Sequence, residues 1–308
     1  MAAKPSGLLD IESLGRTEIE AILDRAHFFQ PGEGEGFRRL DALRGKLIVN
    51  LFFEASTRTR VSFEIAAKRL GADTVSIAAQ GSSVSKGESL VDTLNTLVAM
   101  RPNAIVMRHE ASGAPQFLAR HLQIPIINAG DGTHEHPTQA LLDALTILDQ
   151  RQTLEGLRVA IIGDIAHSRV ARSNVHLLSK FAADIVLCGP PSLLPQELEQ
   201  LAPGVHLAYE MTAAIRDADV IMMLRVQLER QHEAPMSAGE YFRFYGLRLE
   251  HLELAKPNVI VMHPGPINRG RELSSEVADS QRSVILNQVE NGIAVRMAVL
   301  ERILGDPA

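Results

Sequence analysis

The sequence contains no tryptophan, a single cysteine and few aromatic residues, and each shortage excludes a class of protein. Cys188 alone cannot form an internal disulfide, so we expect the chain in a reducing compartment, the cytoplasm. Aromatic side chains make up only 4% of the chain, too few for a surface that stacks single-stranded bases. Apolar runs such as 157–163 are far too short to span a bilayer, so no membrane association is predicted.

Neither sign of charge dominates the composition. The chain has 31 Lys and Arg residues against 37 Asp and Glu, a formal net charge of −6. Because a surface that holds a polyanion needs a basic excess, nucleic acid is not expected as a partner. The length of 308 residues and the hydrophobic content of 45% are sufficient for two domains, each with its own core.

Short apolar segments alternate with helical stretches along the whole chain. Uniformly apolar strands indicate burial on both faces. Strands that alternate with helices predict parallel sheets with right-handed crossovers. We expect eight strands, at 46–53, 74–78, 104–107, 124–128, 158–162, 185–188, 220–224 and 259–262.

Eight such units can close into one barrel or divide into two sheets, and the polar segment 149–156 favours the division. We therefore predict an α/β fold with two doubly wound parallel-sheet domains joined by interdomain helices. The first domain is predicted at 1–148 and is completed by a C-terminal helix at 284–305, while the second spans 149–283. Ligands of such sheets collect at the carboxyl ends of the strands, so the candidate site is sought there.

The first candidate residues follow the strand at 46–53, where a helical pattern begins. They are Ser56, Thr57, Arg58, Thr59 and Arg60, with Ser56 placed as the N-cap. A helix start presents unpaired N–H groups and a partial positive charge, which suits a phosphate. An ordinary capped helix with exposed arginines is the alternative, but two arginines within three residues at a strand end favour an anion site.

Two further strand ends carry residues suited to the same chemistry. Arg108 stands at the end of the strand at 104–107, and His136 precedes a proline suited to the first position of a helix. Gln139 follows one turn along that helix. Each residue alone could serve as an ion-pair partner or a helix cap, but three such groups at three strand ends indicate a shared anion site.

Metal and cofactor chemistry are not predicted. His134 and His136 have the spacing of two ligands on an extended loop, but no third ligand cluster accompanies them. A dinucleotide fingerprint that begins at Gly163 requires glycines where Ile165 and Ser168 stand, so NAD binding is not expected. Cys188 ends an apolar strand without a histidine in its motif and is predicted to be a core residue.

The segment 56–60 resembles the phosphate-binding signature of the carbamoyltransferases, and Arg108, His136 and Gln139 fall where that family keeps its carbamoyl-phosphate contacts. The resemblance covers nearly the whole chain, with five motifs in order. It implies transfer of a carbamoyl group from carbamoyl phosphate to an amino-acid amine, without a cofactor or covalent intermediate. The catalytic residues that it implies are Arg58, Thr59, Arg108, His136 and Lys86.

The second half carries cations suited to a dicarboxylic acceptor. Arg169 and Arg225 follow the predicted strands at 158–162 and 220–224, and a guanidinium binds a carboxylate bidentately. The segment 224–230 resembles the aspartate-binding segment of the aspartate-specific members, which implies a further contact from Gln227.

The segment His263-Pro264-Gly265-Pro266 stands where the ornithine-specific members have a cysteine. The resemblance assigns Gly265 and Pro266 to carbamoyl-phosphate binding, and a sharp turn at a site favours a cis bond between them. The implied product is N-carbamoyl-L-aspartate, made from L-aspartate in the committed step of de novo pyrimidine biosynthesis. Transfer to ornithine or another amino acid is the first alternative, and a non-catalytic anion-binding member of the family is the second.

The Ser-rich loop at 82–88 resembles the loop with which aspartate-specific members reach a neighbouring subunit's site. The resemblance assigns Ser82 and Lys86 to that role, whereas a lone lysine in such a loop is otherwise a solvated side chain. It also implies a homotrimer with shared active sites. Association of that trimer with regulatory chains or with a dihydroorotase stays open.

Overall fold

The computed structural model describes residues 7–32, 34–78, 90–226 and 236–305. The chain forms two compact units, one of Met1–Leu142 with Glu290–Ala308 and the other of Asp143–Val289. Each unit contains one five-stranded parallel sheet with helices between its strands, which confirms the predicted fold class. None of the helices in the described part of the chain is both long and apolar enough to cross a membrane.

The strands of the first unit are β1 (Gly7–Leu8), β2 (Leu47–Phe52), β3 (Asp73–Ala78), β4 (Ala104–His109) and β5 (Ile126–Asp131). They form one sheet in the order β1-β5-β4-β2-β3, with every neighbouring pair parallel. From β2 the chain continues to β3 on one side and then returns to β4 on the other side, so the strand order reverses between β2 and β4. The helices are α1 (Arg16–Phe29), α2 (Thr57–Arg69), α3 (Leu90–Ala99) and α4 (Ala114–His121).

The strands of the second unit are β6 (Arg158–Ile162), β7 (Asp184–Cys188), β8 (Val205–Ala208), β9 (Val220–Met223) and β10 (Ile260–Met262). They form one sheet in the order β10-β9-β6-β7-β8, which is also parallel throughout. The strand order reverses between β6 and β9. The helices are α6 (Arg169–Ser179), α7 (Met211–Ile215), α8 (Ala238–Tyr245), α9 (Leu249–Leu252) and α10 (Ser275–Ala278).

Two helices cross the division between the units, α5 (Pro137–Arg151) and α11 (Ile285–Leu304). The second half of α11 is largely buried and contacts the first unit. Its Glu301 binds Arg25 of α1 at 2.5 Å, and its Arg296 donates to the hydroxyl of Ser62 in α2 at 2.8 Å.

The expected number of eight strands is wrong, because the described residues contain ten. All eight expected strands are present, and β1 and β8 are additional edge strands. β1 has only two residues and pairs with β5 alone, so it carries no pattern that a sequence can reveal. β8 contains an exposed His206 and only one fully buried residue, which departs from the uniformly apolar pattern used for the prediction.

Candidate active site

The loop from β2 to α2 ends in an N-terminus suited to an anion. Ser56 is the N-cap, as predicted, but its hydroxyl donates to Thr59 Oγ1 at 3.0 Å instead of accepting from the first turn. The first turn of α2 contains no acidic residue, and Thr57 and Arg58 are exposed. The first turn of α2 therefore combines backbone N–H groups and a partial positive charge with hydroxyl-bearing and basic residues.

Arg108 lies beside this helix start because β2 and β4 are neighbouring strands. It pairs in register with Phe52, the last residue of β2, and its carbonyl accepts from the N–H of Phe53 at 2.9 Å. The guanidinium donates to Glu54 Oε1 at 2.9 Å and to the carbonyl of Ala129 at 3.3 Å. The side chain is only 11% exposed, so these contacts fix its direction at the reversal of the first sheet.

His136 follows the next strand along this edge, since β5 neighbours β4. It is buried and directly precedes Pro137, the first residue of α5, as predicted. Its carbonyl accepts from the N–H of Gln139 at 2.9 Å. The carboxyl ends of β2, β4 and β5 thus bring together the three groups of residues that the sequence singles out in the first half.

Buried carboxylates hold the loop that leads to His136. Asp131 accepts from the N–H groups of Glu135 at 3.1 Å and Gly113 at 2.6 Å. Its hydrogen bond with the ring of His134 raises the pKa of that histidine. Glu135 accepts from the N–H of Ile11 at 2.9 Å, so its carboxylate fixes the backbone.

The reversal of the second sheet carries the two candidate arginines of the second half. Arg169 begins α6 after the loop that follows β6, and Arg225 follows β9 by two residues. β6 and β9 are neighbours, and the N–H of Leu224 donates to the carbonyl of Ile162 at 2.8 Å beyond the end of β9. Ligands of doubly wound sheets bind where the strand order reverses.

A glycine permits the close approach of the two chains at this reversal. Gly163 has a φ of 149°, and a Cβ added to it would lie 2.7 Å from the Cβ of Leu224. Any larger residue would push the ends of β6 and β9 apart. The spacing of the segments that carry Arg169 and Arg225 therefore depends on this glycine.

The loop after β10 contains the remaining candidates of the described chain. The Gly265–Pro266 bond is cis, as predicted, and Gly265 has a φ of 66° that suits glycine. The N–H of Gly265 donates to His263 Nδ1 at 2.8 Å, and the N–H of His263 donates to Gln288 Oε1 at 2.9 Å. The predicted residues Ser82, Lys86 and Gln227 lie outside the described residues.

Sequence reasoning missed the carboxylates that hold the candidate side chains. Glu54 binds Arg108, and the buried Glu272 binds the loops after β9 and β10. Both residues stand in polar loops, where an acidic side chain is normally solvated. No signal in the sequence separates them from surface acids.

The molecule is thus a doubly wound α/β protein with candidate anion-binding residues at the reversal of each of its two sheets. Two family models match it in succession. "Aspartate/ornithine carbamoyltransferase, carbamoyl-P binding domain" matches residues 7–149, and "Aspartate/ornithine carbamoyltransferase, Asp/Orn binding domain" matches residues 155–303. The chain belongs to the aspartate/ornithine carbamoyltransferase family, which confirms the resemblance found in its motifs.

Curated relatives and solved structures agree with this family. The aspartate carbamoyltransferase catalytic subunit of Solibacter usitatus is 79% identical over 98% of this chain and 100% of its own length. The aspartate transcarbamoylase from Trypanosoma cruzi in complex with N-(phosphonacetyl)-L-aspartic acid has a TM-score of 0.88 at 34% identity, covering 98% of this chain and 97% of that chain. The ornithine carbamoyltransferase from Pyrococcus furiosus has a TM-score of 0.85 at 30% identity, covering 97% of this chain and 96% of that chain.

Proposed function

We propose that this chain transfers the carbamoyl group of carbamoyl phosphate to the amine of L-aspartate. The products are N-carbamoyl-L-aspartate and phosphate, and the reaction is the committed step of de novo pyrimidine biosynthesis. The observation that carries the proposal is the presence of arginines at the strand reversals of both sheets, one set suited to a phosphate and the other to carboxylates. The 79% identity to an aspartate carbamoyltransferase catalytic subunit supports aspartate as the acceptor.

The first domain, 1–148 with 284–305, binds carbamoyl phosphate in this proposal. The start of α2 holds the phosphate through Ser56, Thr57, Thr59 and Arg58, because its N–H groups and partial charge favour an anion. Arg108 bridges the phosphate and the carbonyl oxygen. Further contacts to carbamoyl phosphate come from Gln139, Gly265 and Pro266.

The reaction needs positioning and charge stabilisation instead of a protein nucleophile. The neutral amine attacks the carbamoyl carbon and forms a C–N bond, and the carbonyl oxygen becomes an oxyanion that Arg108 and His136 stabilise. The C–O bond to phosphate then breaks, and the departing phosphate takes the proton released by the amine. No oxidant, metal or cofactor enters this balance.

The second domain, 149–283, binds L-aspartate. Arg169 and Arg225 bind its two carboxylates, since a guanidinium matches a carboxylate with two parallel hydrogen bonds. Gln227 adds a contact from the same segment as Arg225. Ornithine, which carries a second amine in place of the second carboxylate, would bring a cation toward these arginines.

The test is an acceptor assay on the purified chain. Carbamoyl phosphate is supplied with either L-aspartate or L-ornithine, and phosphate release and the carbamoylated product are both measured. We expect a carbamoylated product with aspartate and none with ornithine. Arg108→Ala should abolish the formation of this product, whereas the control Arg120→Ala, which removes an exposed arginine of α4, should not. Turnover of ornithine instead would establish the first alternative, and phosphate binding without turnover would establish a non-catalytic member.

The active unit in this proposal is a homotrimer in the cytoplasm, in which Ser82 and Lys86 reach the site of a neighbouring subunit. A shared site predicts that two inactive variants complement each other. Lys86→Ala and Arg58→Ala proteins, mixed under conditions of subunit exchange, should regain part of the wild-type activity through hybrid sites. Activity that stays at the level of the separate variants would exclude sharing.

A further inference from the structure

Glu272 is a buried carboxylate to which the proposed mechanism gives no role. It lies between β10 and α10, and its side chain is 0% exposed. Glutamate is almost never fully buried unless other groups satisfy its charge. The contacts that compensate for the loss of water therefore indicate what the residue does.

The carboxylate binds two different loops at once. Its Oε1 accepts from the N–H of Val226 at 3.1 Å and from Asn268 Nδ2 at 2.8 Å. Its Oε2 accepts from the N–H of Asn268 at 2.8 Å, and His263 Nε2 lies 4.0 Å from the same oxygen. The loop after β9 is thereby joined to the loop after β10 through a single side chain.

Both loops carry candidate substrate contacts next to the residues that Glu272 binds. Val226 directly follows Arg225, and Asn268 is the second residue after Pro266. A trans peptide fixes consecutive Cα atoms about 3.8 Å apart, so a shift of Val226 is transmitted to Arg225. Glu272 therefore holds the backbone next to Arg225 close to the backbone that follows the Gly265–Pro266 turn.

The raised pKa of the Glu272 carboxyl group agrees with a function beyond packing. Burial raises its pKa above the ordinary value, even though the hydrogen bonds from Asn268 and Val226 favour the ionised form. Carboxylates with pKa values raised by burial concentrate at functional sites. An apolar residue would fill the same space without this electrostatic penalty, but it would leave three donors without an acceptor.

We propose that Glu272 is a positioning residue that orients Arg225 toward the acceptor by joining the loop of Val226 to the loop of Gly265–Pro266. The inference rests on the proposed function, in which Arg225 binds a carboxylate of aspartate. Bidentate binding of a carboxylate tolerates little displacement of the guanidinium. A misplacement of about 1 Å can lower catalysis on the order of 10²-fold.

The decisive variant is Glu272→Gln, which keeps the size of the side chain. Its amide nitrogen must face either Asn268 N–H or the pair of donors at Oε1, so at least one hydrogen bond is replaced by two opposed donors. We expect kcat/KM for aspartate to fall on the order of 10²-fold, mainly through a higher KM for aspartate. The Kd of inorganic phosphate, measured by calorimetry, should change far less than the KM for aspartate, because Ser56–Thr59 and Arg108, which are proposed to hold the phosphate, belong to the other unit.

Two further variants make the result specific. Glu276→Gln is the matched control, since this exposed glutamate lies four residues along the chain and should leave all constants at wild-type values. Asn268→Ala removes one side-chain donor and keeps the backbone contact, so it should raise the KM for aspartate by a smaller factor. This variant decides the question if Glu272→Gln does not fold.

The outcomes separate this inference from the proposed function. A wild-type protein that carbamoylates aspartate, together with a Glu272→Gln variant of unchanged aspartate KM, would overturn the positioning role alone. Equal losses of phosphate affinity and activity would also overturn it, because they indicate general structural damage. A wild-type protein without turnover of aspartate would instead reject the proposed function.

Discussion

Asp219 and Asp279 offer a test of whether burial or distance decides the strength of an ion pair in this protein. Asp219 Oδ1 lies 2.7 Å from Arg151 Nη2, and Asp279 Oδ1 lies 2.7 Å from Arg269 Nη2. The side chains of the first pair are 8% and 7% exposed, whereas those of the second are 66% and 46% exposed. The two pairs thus differ in solvent contact at the same separation.

Replacement of Asp219 by alanine removes the carboxylate partner of a guanidinium that is 7% exposed, while Arg151 keeps its hydrogen bond to the carbonyl of Asn258 at 2.9 Å. Removal of one partner of a buried ion pair lowers the free energy of unfolding by about 3–5 kcal/mol. Asp219 also accepts from the backbone N–H of Arg158 at 3.0 Å and from Lys256 Nζ at 2.8 Å. Asp279→Ala releases Arg269 into solvent and is expected to lower the free energy of unfolding by less than about 1 kcal/mol.

Equilibrium urea unfolding of the full chain at pH 7 measures both losses. Asp219 precedes β9 and contacts the start of β6, so it lies at the amino ends of the strands, opposite the candidate site. We therefore expect Asp219→Ala to keep the wild-type KM for aspartate while its free energy of unfolding falls. Equal losses of stability in the Asp219 and Asp279 variants would refute the reasoning that burial decides.

The contribution of Asp219 to the free energy of unfolding should depend on pH, because it requires the ionised carboxylate. Burial alone would raise its pKa, but hydrogen bonds from Lys256 and the N–H of Arg158 outweigh burial and hold the pKa below its ordinary value of 3.8. A carboxyl whose pKa is lower in the folded state stabilises the fold fully above its unfolded pKa and loses that effect as the pH falls through the folded value. The stability difference between wild type and Asp219→Asn should accordingly shrink below pH 3.8.

Four further substitutions or reactions test the remaining assignments. His136→Ala should lower kcat on the order of 10²- to 10³-fold if the imidazole donates to the oxyanion, and an unchanged kcat would remove it from that role. Arg225→Lys should raise the KM for aspartate far more than that for carbamoyl phosphate, because lysine cannot bind a carboxylate bidentately; equal increases would contradict the assignment. Burial raises the pKa of Cys188 to about 12, so a thiol reagent at pH 8 should label it only after unfolding. Leu300→Ala in α11 should lower the free energy of unfolding by about 2–5 kcal/mol, since Leu300 is 0% exposed.

The strands were predictable where burial on both faces leaves a uniform apolar pattern. β6 and β9 are buried along almost their whole length, and each was found within one residue of its bounds. β5 begins two residues later than expected and continues past the predicted end at Asn128 to Asp131. Its last residues can be polar because a buried hydrogen bond joins Asn128 to Asp131. A sequence does not reveal such partners, so polar residues inside a buried strand are read as its end.

The candidate cations were predictable because they combine a residue type with a position. Arg108 and Arg225 are basic residues directly after the apolar segments 104–107 and 220–224, and ligands bind at the carboxyl ends of the strands in a parallel sheet. The strand orders add what the sequence lacked, namely that β2 neighbours β4 and that β6 neighbours β9. Both reversals coincide with the strands that the candidate residues follow.

The carboxylates were not predictable, and the reason is that their roles depend on contacts distant in sequence. Glu272 binds Val226 across 46 residues, and Asp219 binds Arg151 across 68 residues. Both are acidic residues in polar segments, yet Asp219 contacts the start of β6 whereas Glu272 contacts the loops that follow β9 and β10. A neutral amide at Asp219 should change the free energy of unfolding and leave the KM for aspartate alone, whereas a neutral amide at Glu272 should change that KM. Because both acids are buried, we expect their positions along the strand axis to decide whether a neutral amide affects the KM for aspartate in this unit.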